Sequence, residues 1–413
     1  MTTPARPSGC RGCGRLDVTT VLDLGRQPLA NALLSADELD QPEPRYPLRL
    51  VFCSGCSLLQ LGETVSPEAM FRHYLYRSST SDAFVGHARA LAGRLVAEAR
   101  VAPDGLVVEL GSNDGYLLKA YVEAGRRVIG VDPAANLADE ARSNGVAVVS
   151  EFFSAAVAAR IRDEHGPADI VHAHNVLAHV GNVQDVLAGV KALLSDGGVF
   201  VIETPSCRDL VDRLEFDTIY HEHVFYYSLT SLTGLLERNG LVAADVEHVP
   251  VHGGSLRVFA QVAGVAAPAS PSVAAMLAEE QRIGLDGPEY YESFAARVHA
   301  LGDELRRTLA GLRADGQRVA AYGAAAKGTV LLNLFGLGPD DLDFVADRNE
   351  LKQGRYMPGQ HVPIVGPDAL VAAMPDVVLL LSWNFADEIL GQQAEYRRRG
   401  GRFLLPVPAP TLV

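Results

Sequence analysis

One stretch constrains this chain more than any other. Leu106-Val-Val-Glu109-Leu-Gly111-Ser-Asn113-Asp114-Gly115 is followed by a helical stretch to Gly125 and then by Arg127-Val-Ile-Gly-Val131-Asp132-Pro133. The pattern reads as strand, glycine turn, helix and second strand, the repeating unit of an open parallel α/β sheet. Two later segments extend it, Asp169-Ile-Val-His172-Ala-His174-Asn175 as a fourth strand opening into a polar loop, and Gly197-Gly-Val-Phe-Val-Ile-Glu203-Thr-Pro205 as a fifth that ends in an acid, both bringing polar groups to the same strand-end crevice.

Glycines at such a turn let the backbone approach a ligand beyond the carboxyl ends of the strands. Asp132, 21 residues after Gly111, is placed to accept hydrogen bonds from ribose hydroxyls. An adenosine-bearing ligand follows. A dinucleotide requires Gly-x-Gly-x-x-Gly, so that its pyrophosphate rests on the helix N-terminus. Here the spacing is Glu109-x-Gly111-x-x-x-Gly115 with Asn113-Asp114 inside the turn. Acids at these positions suit a cationic amino-acid group better than a pyrophosphate. S-adenosylmethionine is therefore the better reading, held by Glu109, Gly111, Asn113, Asp114, Gly115, Asp132 and Asn175.

At 413 residues the chain holds two to three domains, given roughly 150 residues each, which excludes a single small module. Its charge, 36 − 50 = −14, repels nucleic-acid phosphates and anionic membrane surfaces. The nearest candidate for a basic stripe, Arg397, Arg398, Arg399 and Arg402, reads as a solvated helix end. The N-terminus has no apolar leader, and no apolar run approaches 18 residues. A cytoplasmic protein that binds neither nucleic acid nor membrane is expected.

Four of the five cysteines form two pairs, Cys10-Arg-Gly-Cys13 and Cys53-Ser-Gly-Cys56, with 39 residues between them. Two such knuckles offer four thiolates to one tetrahedral ion, a closed and structural zinc site. Residues 1–72 carry seven arginines and eight acids, 7 − 8 = −1, which argues for a scaffolding lobe over a nucleic-acid ribbon. Residues 21–25 and 46–52 read as short strands of that lobe. Cys207 reads as a plain buried thiol.

After the fifth strand comes Phe216-Asp-Thr-Ile-Tyr220-His221-Glu222-His223-Val-Phe-Tyr-Tyr227-Ser228, then a helix closed by Asn239-Gly240. The helical spacing of a zinc protease motif is absent. A histidine, a carboxylate that fixes its tautomer and a tyrosine that donates to an enolate oxygen are the parts for deprotonating carbon beside a ketone. A polar lid or a packed aromatic turn is the competing reading. His172 reads as a satisfied strand residue, and His179 as the better candidate.

With the cysteine pairs, Glu-Leu-Gly-Ser-Asn-Asp-Gly, Tyr-x-Glu-His and Val251-His252-Gly253-Gly254-Ser255-Leu256-Arg257, the chain resembles the TDP-sugar C-3-methyltransferases of branched deoxysugar pathways over nearly its whole length. The resemblance implies a zinc lobe, a central class I S-adenosylmethionine-dependent domain and a C-terminal Rossmann-like domain, with a TDP-linked 4-keto-deoxysugar between the last two. It implies His223 as the base at C-3, with Glu222, Tyr220, His179 and Tyr74 as its partners. Tyr76 is near enough to compete for the place of Tyr74. His221 fills the variable position and leaves two imidazoles within reach.

The resemblance extends to Val319-Ala-Ala-Tyr322-Gly323-Ala-Ala-Ala-Lys327-Gly328 as strand, small-residue turn and helix start, where a diphosphate would lie. Lys327, Lys352 and Arg355, with Tyr76, His221 and His252, are the expected substrate contacts.

The expectation is thus an α/β chain of three parts, a small β zinc lobe at 1–72, a methyltransferase domain at 73–262 and a sugar-nucleotide domain at 263–413. Residues 268–315 read as a helical connection. The chain is read as a monomer, with a dimer as the alternative. A different acceptor on the same scaffold is the alternative activity. A nicotinamide-dependent sugar enzyme would need Gly-x-Gly-x-x-Gly and Tyr-x-x-x-Lys in the central domain, and a regulatory zinc ribbon would need a basic face. The sequence has none of these.

Overall fold

The computed structural model describes residues 9–66, 70, 79, 81–266 and 268–413. Near the N-terminus β1 (Val18–Pro28), β2 (Arg45–Cys53) and β3 (Leu58–Leu61) pair antiparallel, and residues Phe225–Tyr226 add a fourth strand on β3. Leu22 and Leu24 of β1 and Leu48, Leu50 and Phe52 of β2 are buried at alternate positions, the period-2 signature of one covered face.

The central sheet comprises β4 (Leu106–Leu110), β5 (Arg127–Val131), β6 (Ala147–Val149), β7 (Ala168–His174), β8 (Leu194–Pro205), β10 (Leu241–Val249) and β11 (Ser255–Val262), with β9 the short Phe225–Tyr226. Its order is β10-β11-β8-β7-β4-β5-β6, and β11 runs antiparallel to both neighbours. β4 is buried throughout, because helices cover both faces of a parallel sheet and leave no polar side. One of these helices, Asp82–Ala97, starts where the Ser81 hydroxyl accepts from the Phe84 N–H. It buries Phe84, Ala88, Leu91, Ala92 and Leu95, a single stripe at helical spacing. Successive strands depart from β4 in opposite directions, so a crevice opens beyond the carboxyl ends of β4 and β7.

The C-terminal sheet comprises β12 (Val319–Tyr322), β13 (Val345–Ala346), β14 (Ile364–Val365), β15 (Val377–Leu380), β16 (Arg402–Leu405) and β17 (Thr411–Leu412). It has the order β14-β13-β12-β15-β16-β17, parallel except for β17. A second crevice opens beyond β12 and β15. Helices Pro271–Ile283 and Phe294–Ala314 make up the connection expected over 268–315. The longer one buries Phe294, Val298, Leu301, Leu305 and Leu309. Its Gly302 lies under the Phe335 ring, where a Cβ would come within 2.4 Å.

The N-terminal lobe is a wedge between the other two parts. Leu22, Leu50 and Phe52 share a core with Phe216 and Ile219 and with Leu331 and Phe335 of the C-terminal part, whereas Cys10, Cys53 and Leu58 join the core of the central sheet. The three-part α/β architecture is the one expected. Among the described residues no helix is long and apolar enough to cross a membrane.

Candidate active site

The sulfur atoms of Cys10, Cys13, Cys53 and Cys56 lie within 4.8 Å of one another, and no disulfide links them. Cys10 Sγ is 3.5 Å from Cys56 Sγ and Cys13 Sγ is 3.6 Å from Cys53 Sγ. Four sulfurs around a tetrahedral zinc ion, each at about 2.3 Å, stand roughly 3.8 Å apart, so the cluster fits that ion. The Gly12 N–H donates to Cys10 Sγ, the local turn that aims a knuckle.

The two crevices open into one cavity of about 1040 Å³. Its walls include Gly111, Asp132 and Asn175 from the carboxyl ends of β4, β5 and β7, and Gly323, Asp347 and Ser382 from those of β12, β13 and β15. Tyr220, His223, His179 and His252 line it as well, and the N-terminal lobe contributes Asn31.

His223 is held by two contacts. Its Nδ1 is 2.8 Å from the Thr218 carbonyl, which only an N–H can satisfy, so Nε2 carries the lone pair. The Tyr220 hydroxyl, 2.8 Å away, then donates to Nε2. His179 Nδ1 likewise donates to the Glu222 carbonyl at 2.8 Å, and its ring stands edge-on to His223 at 4.7 Å. Burial pushes His223 well below the usual histidine range, with His179 adding to the effect, and brings His179 to about 4. Both imidazoles are neutral at pH 7, the form in which a base acts.

His221 turns the other way. Its Nε2 faces the Pro47 carbonyl at 3.3 Å and its ring meets Tyr46, so it packs against the N-terminal lobe and is absent from the cavity wall. The expectation that it contacts substrate is corrected accordingly. Glu222 is also behind the wall: Asn31 Nδ2 donates to its Oε1 at 2.6 Å, and burial raises it to about 7. Tyr74 and Tyr76 lie outside the described residues.

At the central crevice Gly111 has φ +63, and a Cβ there would meet Val176 at 2.5 Å, so only glycine fits. Asp132 accepts the Asn113 N–H and the Ala134 N–H, both at 2.8 Å, and still faces the cavity. The buried Asn175 Oδ1 accepts no hydrogen bond among the described residues, an acceptor left for a ligand. These features fit a nucleoside with a charged amino-acid tail. Glu109, Asp114 and Gly115 do not reach the cavity wall. Glu109 shares the Val107 face of β4, looks into the protein near Asp132 and Asp114, and is raised well above the carboxylate range by burial.

At the C-terminal crevice Lys352 Nζ donates to the Ala324 carbonyl at 2.7 Å, and Lys327 lines the cavity beside Trp383. Arg355 is exposed and off the wall, which corrects its expected contact.

Other residues of the site gave no clear signal in the sequence. Asn31 has no motif. The acid that ends the fifth strand, Glu203, was expected to face the crevice, yet it is buried between His87 at 2.9 Å and Arg257 at 2.9 Å. The Tyr121 hydroxyl, His172 and His174 continue that network at 2.9 and 3.0 Å, so His172 is a satisfied strand residue.

Comparison with known proteins adds three family matches: a zinc binding domain over residues 10–71, a methyltransferase domain over 84–246 and a C-methyltransferase C-terminal domain over 250–408. The chain is 40% identical over 404 residues to the C-methyltransferase NovU of Streptomyces niveus, covering 98% of this chain and 96% of that protein. Among solved structures, magnesium protoporphyrin IX methyltransferase (ChlM) from Synechocystis PCC 6803 with bound SAM is 18% identical, with 44% of this chain and 82% of that one covered and a TM-score of 0.33. The CcbJ methyltransferase from Streptomyces caelestis is 17% identical, with 43% and 90% covered and a TM-score of 0.35.

Proposed function

Since this chain belongs to the zinc-binding, S-adenosylmethionine-dependent C-methyltransferase family, we propose that it methylates C-3 of a TDP-linked 4-keto-deoxysugar through an enolate. In this reading residues 1–72 form the zinc lobe, 73–262 hold the cofactor and 263–413 hold the nucleotide sugar. The observation that carries it is the place of His223, a neutral imidazole with an Nε2 lone pair on the wall of a cavity that joins both crevices.

S-adenosylmethionine, when bound, supplies an electrophilic methyl group. Gly111 would give it room, Asp132 would meet its ribose, and Asn113 and Asn175 would line its tail. His223 Nε2 takes the C-3 proton, which is acidic because the C–H pair delocalises onto the C-4 oxygen. For this the Tyr220 hydroxyl leaves Nε2 and turns to that oxygen. His179, fixed by the Glu222 carbonyl, keeps the His223 ring in place, and Asn31 holds Glu222. C-3 then forms the new C–C bond while the S–CH3 bond breaks, and the C-4 ketone is restored. The zinc ion takes no part in these steps.

The test is mass spectrometry with trideuteromethyl-labelled cofactor and a panel of TDP-4-keto-deoxysugars, with NMR to locate the methyl group. Label at C-3 is the expected result. Label on oxygen, nitrogen or a non-sugar ketone would replace the acceptor. In the same assay H223Q is expected to lose about 10²–10⁴-fold in kcat, the usual range for a general base, with cofactor affinity unchanged. Full turnover in H223Q would remove His223 as the base.

A further inference from the structure

We propose that the Lys327 ammonium is a catalytic group of the methylation centre, donating to the C-4 oxygen of the bound ketone as enolate charge gathers there, and is not an anchor for the diphosphate. This deepens the reading above and rests on it.

Lys327 is in the first turn of helix Ala326–Phe335. A diphosphate lodged at that turn would be met by backbone N–H groups. The Lys327 side chain leads elsewhere, with Nζ 4.3 Å from the centroid of the Trp383 ring. The Trp383 indole N–H donates in turn to Asp217 Oδ2 at 2.7 Å, which fixes the ring under the ammonium. Nζ is shut off from solvent and makes no hydrogen bond among the described residues, although Lys327 lines the cavity.

Four groups place the charge. Asp217 and Glu215 favour the ammonium against its burial, and its charge in turn opposes protonation of His223 and His252. Lys327 lines the same cavity as His223, and Asp217, whose carboxylate holds the Trp383 ring, precedes Thr218, whose carbonyl holds the imidazole. A buried ammonium with unused donors is costly, and a ligand acceptor relieves that cost. The cation–π contact holds the ammonium without consuming a donor.

The acceptor that gains most charge during reaction is the ketone oxygen. As His223 Nε2 takes the C-3 proton, the C–H pair becomes the C3–C4 double bond and the carbonyl π pair moves to oxygen. Lys327 donates a hydrogen bond to that oxygen and keeps its proton. The oxygen pair then re-forms the C-4 carbonyl, the C3–C4 π pair closes the C–CH3 bond, and the S–CH3 bonding pair leaves with sulfur. A donor aimed at developing charge lowers the barrier, whereas a diphosphate contact is the same in ground and transition state.

The experiment uses the full-length zinc-loaded enzyme. For K327M, kcat for methyl transfer and the rate of C-3 deuterium exchange in D2O are expected to fall together by about 10²–10³-fold. The KM for the nucleotide sugar and the affinity for S-adenosylhomocysteine should change by less than about threefold. A tenfold or larger rise in KM with kcat retained would overturn the proposal in favour of anion binding. Borohydride trapping of substrate on Lys327 of the wild-type enzyme would overturn it in favour of an imine.

If K327M fails to bind S-adenosylhomocysteine and so has not folded, the wild-type complex decides. The C-4 carbonyl 13C resonance of bound ketosugar should move downfield of the free ketone, and an unmoved resonance sinks the idea. Wild-type enzyme that methylates no TDP-ketosugar removes the parent reading, whereas wild-type transfer with an unaffected K327M removes only this one.

Discussion

His179 and Glu222 are joined by one hydrogen bond and titrate in opposite senses. Burial lowers His179 to about 4, whereas an unfolded histidine titrates near 6.5. Its contribution to stability is complete above about pH 6.5 and is lost as the pH falls toward 4. Linkage puts that loss at about 2 kcal/mol between pH 7 and pH 5. Burial raises Glu222 to about 7, so its contribution is complete below the ordinary carboxylate value and is lost as the pH rises through 7. The wild-type pH profile is a difference of such effects, and a variant isolates one of them. H179Q is expected to lose about 2 kcal/mol less than wild type on going from pH 7 to pH 5, read from denaturant midpoints. An equal loss in both proteins would mean that His179 is protonated in the fold. The sequence could not separate His221 from His223, because two residues apart in an irregular turn implies no shared face. Only the Pro47 carbonyl on one side and Thr218 on the other distinguish them.

At the scale of elements, what is local was legible and what is non-local was not. The glycine turn after β4 and the Asp132 that ends β5 follow from a few adjacent residues, and so does the cysteine cluster. Glu109 misled because its distance from Gly111 was read without its strand: a side chain within β4 points to a sheet face, and only the residues past Leu110 reach the strand end. β9 is two residues long and exists because β3 pairs with it, register Leu59 to Tyr226 and Gln60 to Phe225. No pattern in so short a segment announces that partner. The same pairing gives the zinc ion a functional consequence. β2 and β3 flank the second cysteine pair, β9 follows His223 by two residues, and Asn31 of the same lobe holds Glu222. C53S is therefore expected to lose the zinc ion by elemental analysis and to lose methyl transfer at least tenfold, about the effect of one misplaced contact. S-adenosylhomocysteine affinity should stay within about threefold, since Asp132 takes its hydrogen bonds from the Asn113 and Ala134 N–H groups, within the central part. A cofactor affinity that falls as far as turnover would place the lobe's effect on the whole fold.

In the whole molecule, two open α/β sheets turn their carboxyl ends toward one cavity, each with an acid behind its turn. Asp132 accepts the Asn113 N–H after β4. Asp347 accepts the Ala324 N–H after β12 at 2.7 Å, and Lys352 braces the Ala324 carbonyl. The likeness is physical. At a switch point the backbone N–H groups of the turn need an acceptor, and a buried carboxylate on the neighbouring strand supplies it while shaping a ligand-sized gap. The halves share the cavity and none of these bonds, so their affinities are expected to separate. D132N removes one charged acceptor and should weaken S-adenosylhomocysteine binding by about 10-fold to 100-fold, the worth of a hydrogen bond to a charged group. K352M removes the brace at the other turn and should raise the KM for the nucleotide sugar by a similar factor of about 10 to 100. Neither variant should move the other constant by more than about threefold, because changes without shared partners act independently. Calorimetry with S-adenosylhomocysteine and steady-state kinetics with the sugar measure both. If either variant shifted the two constants together, the cavity would be one cooperative site, and the two sheets would not each own a ligand.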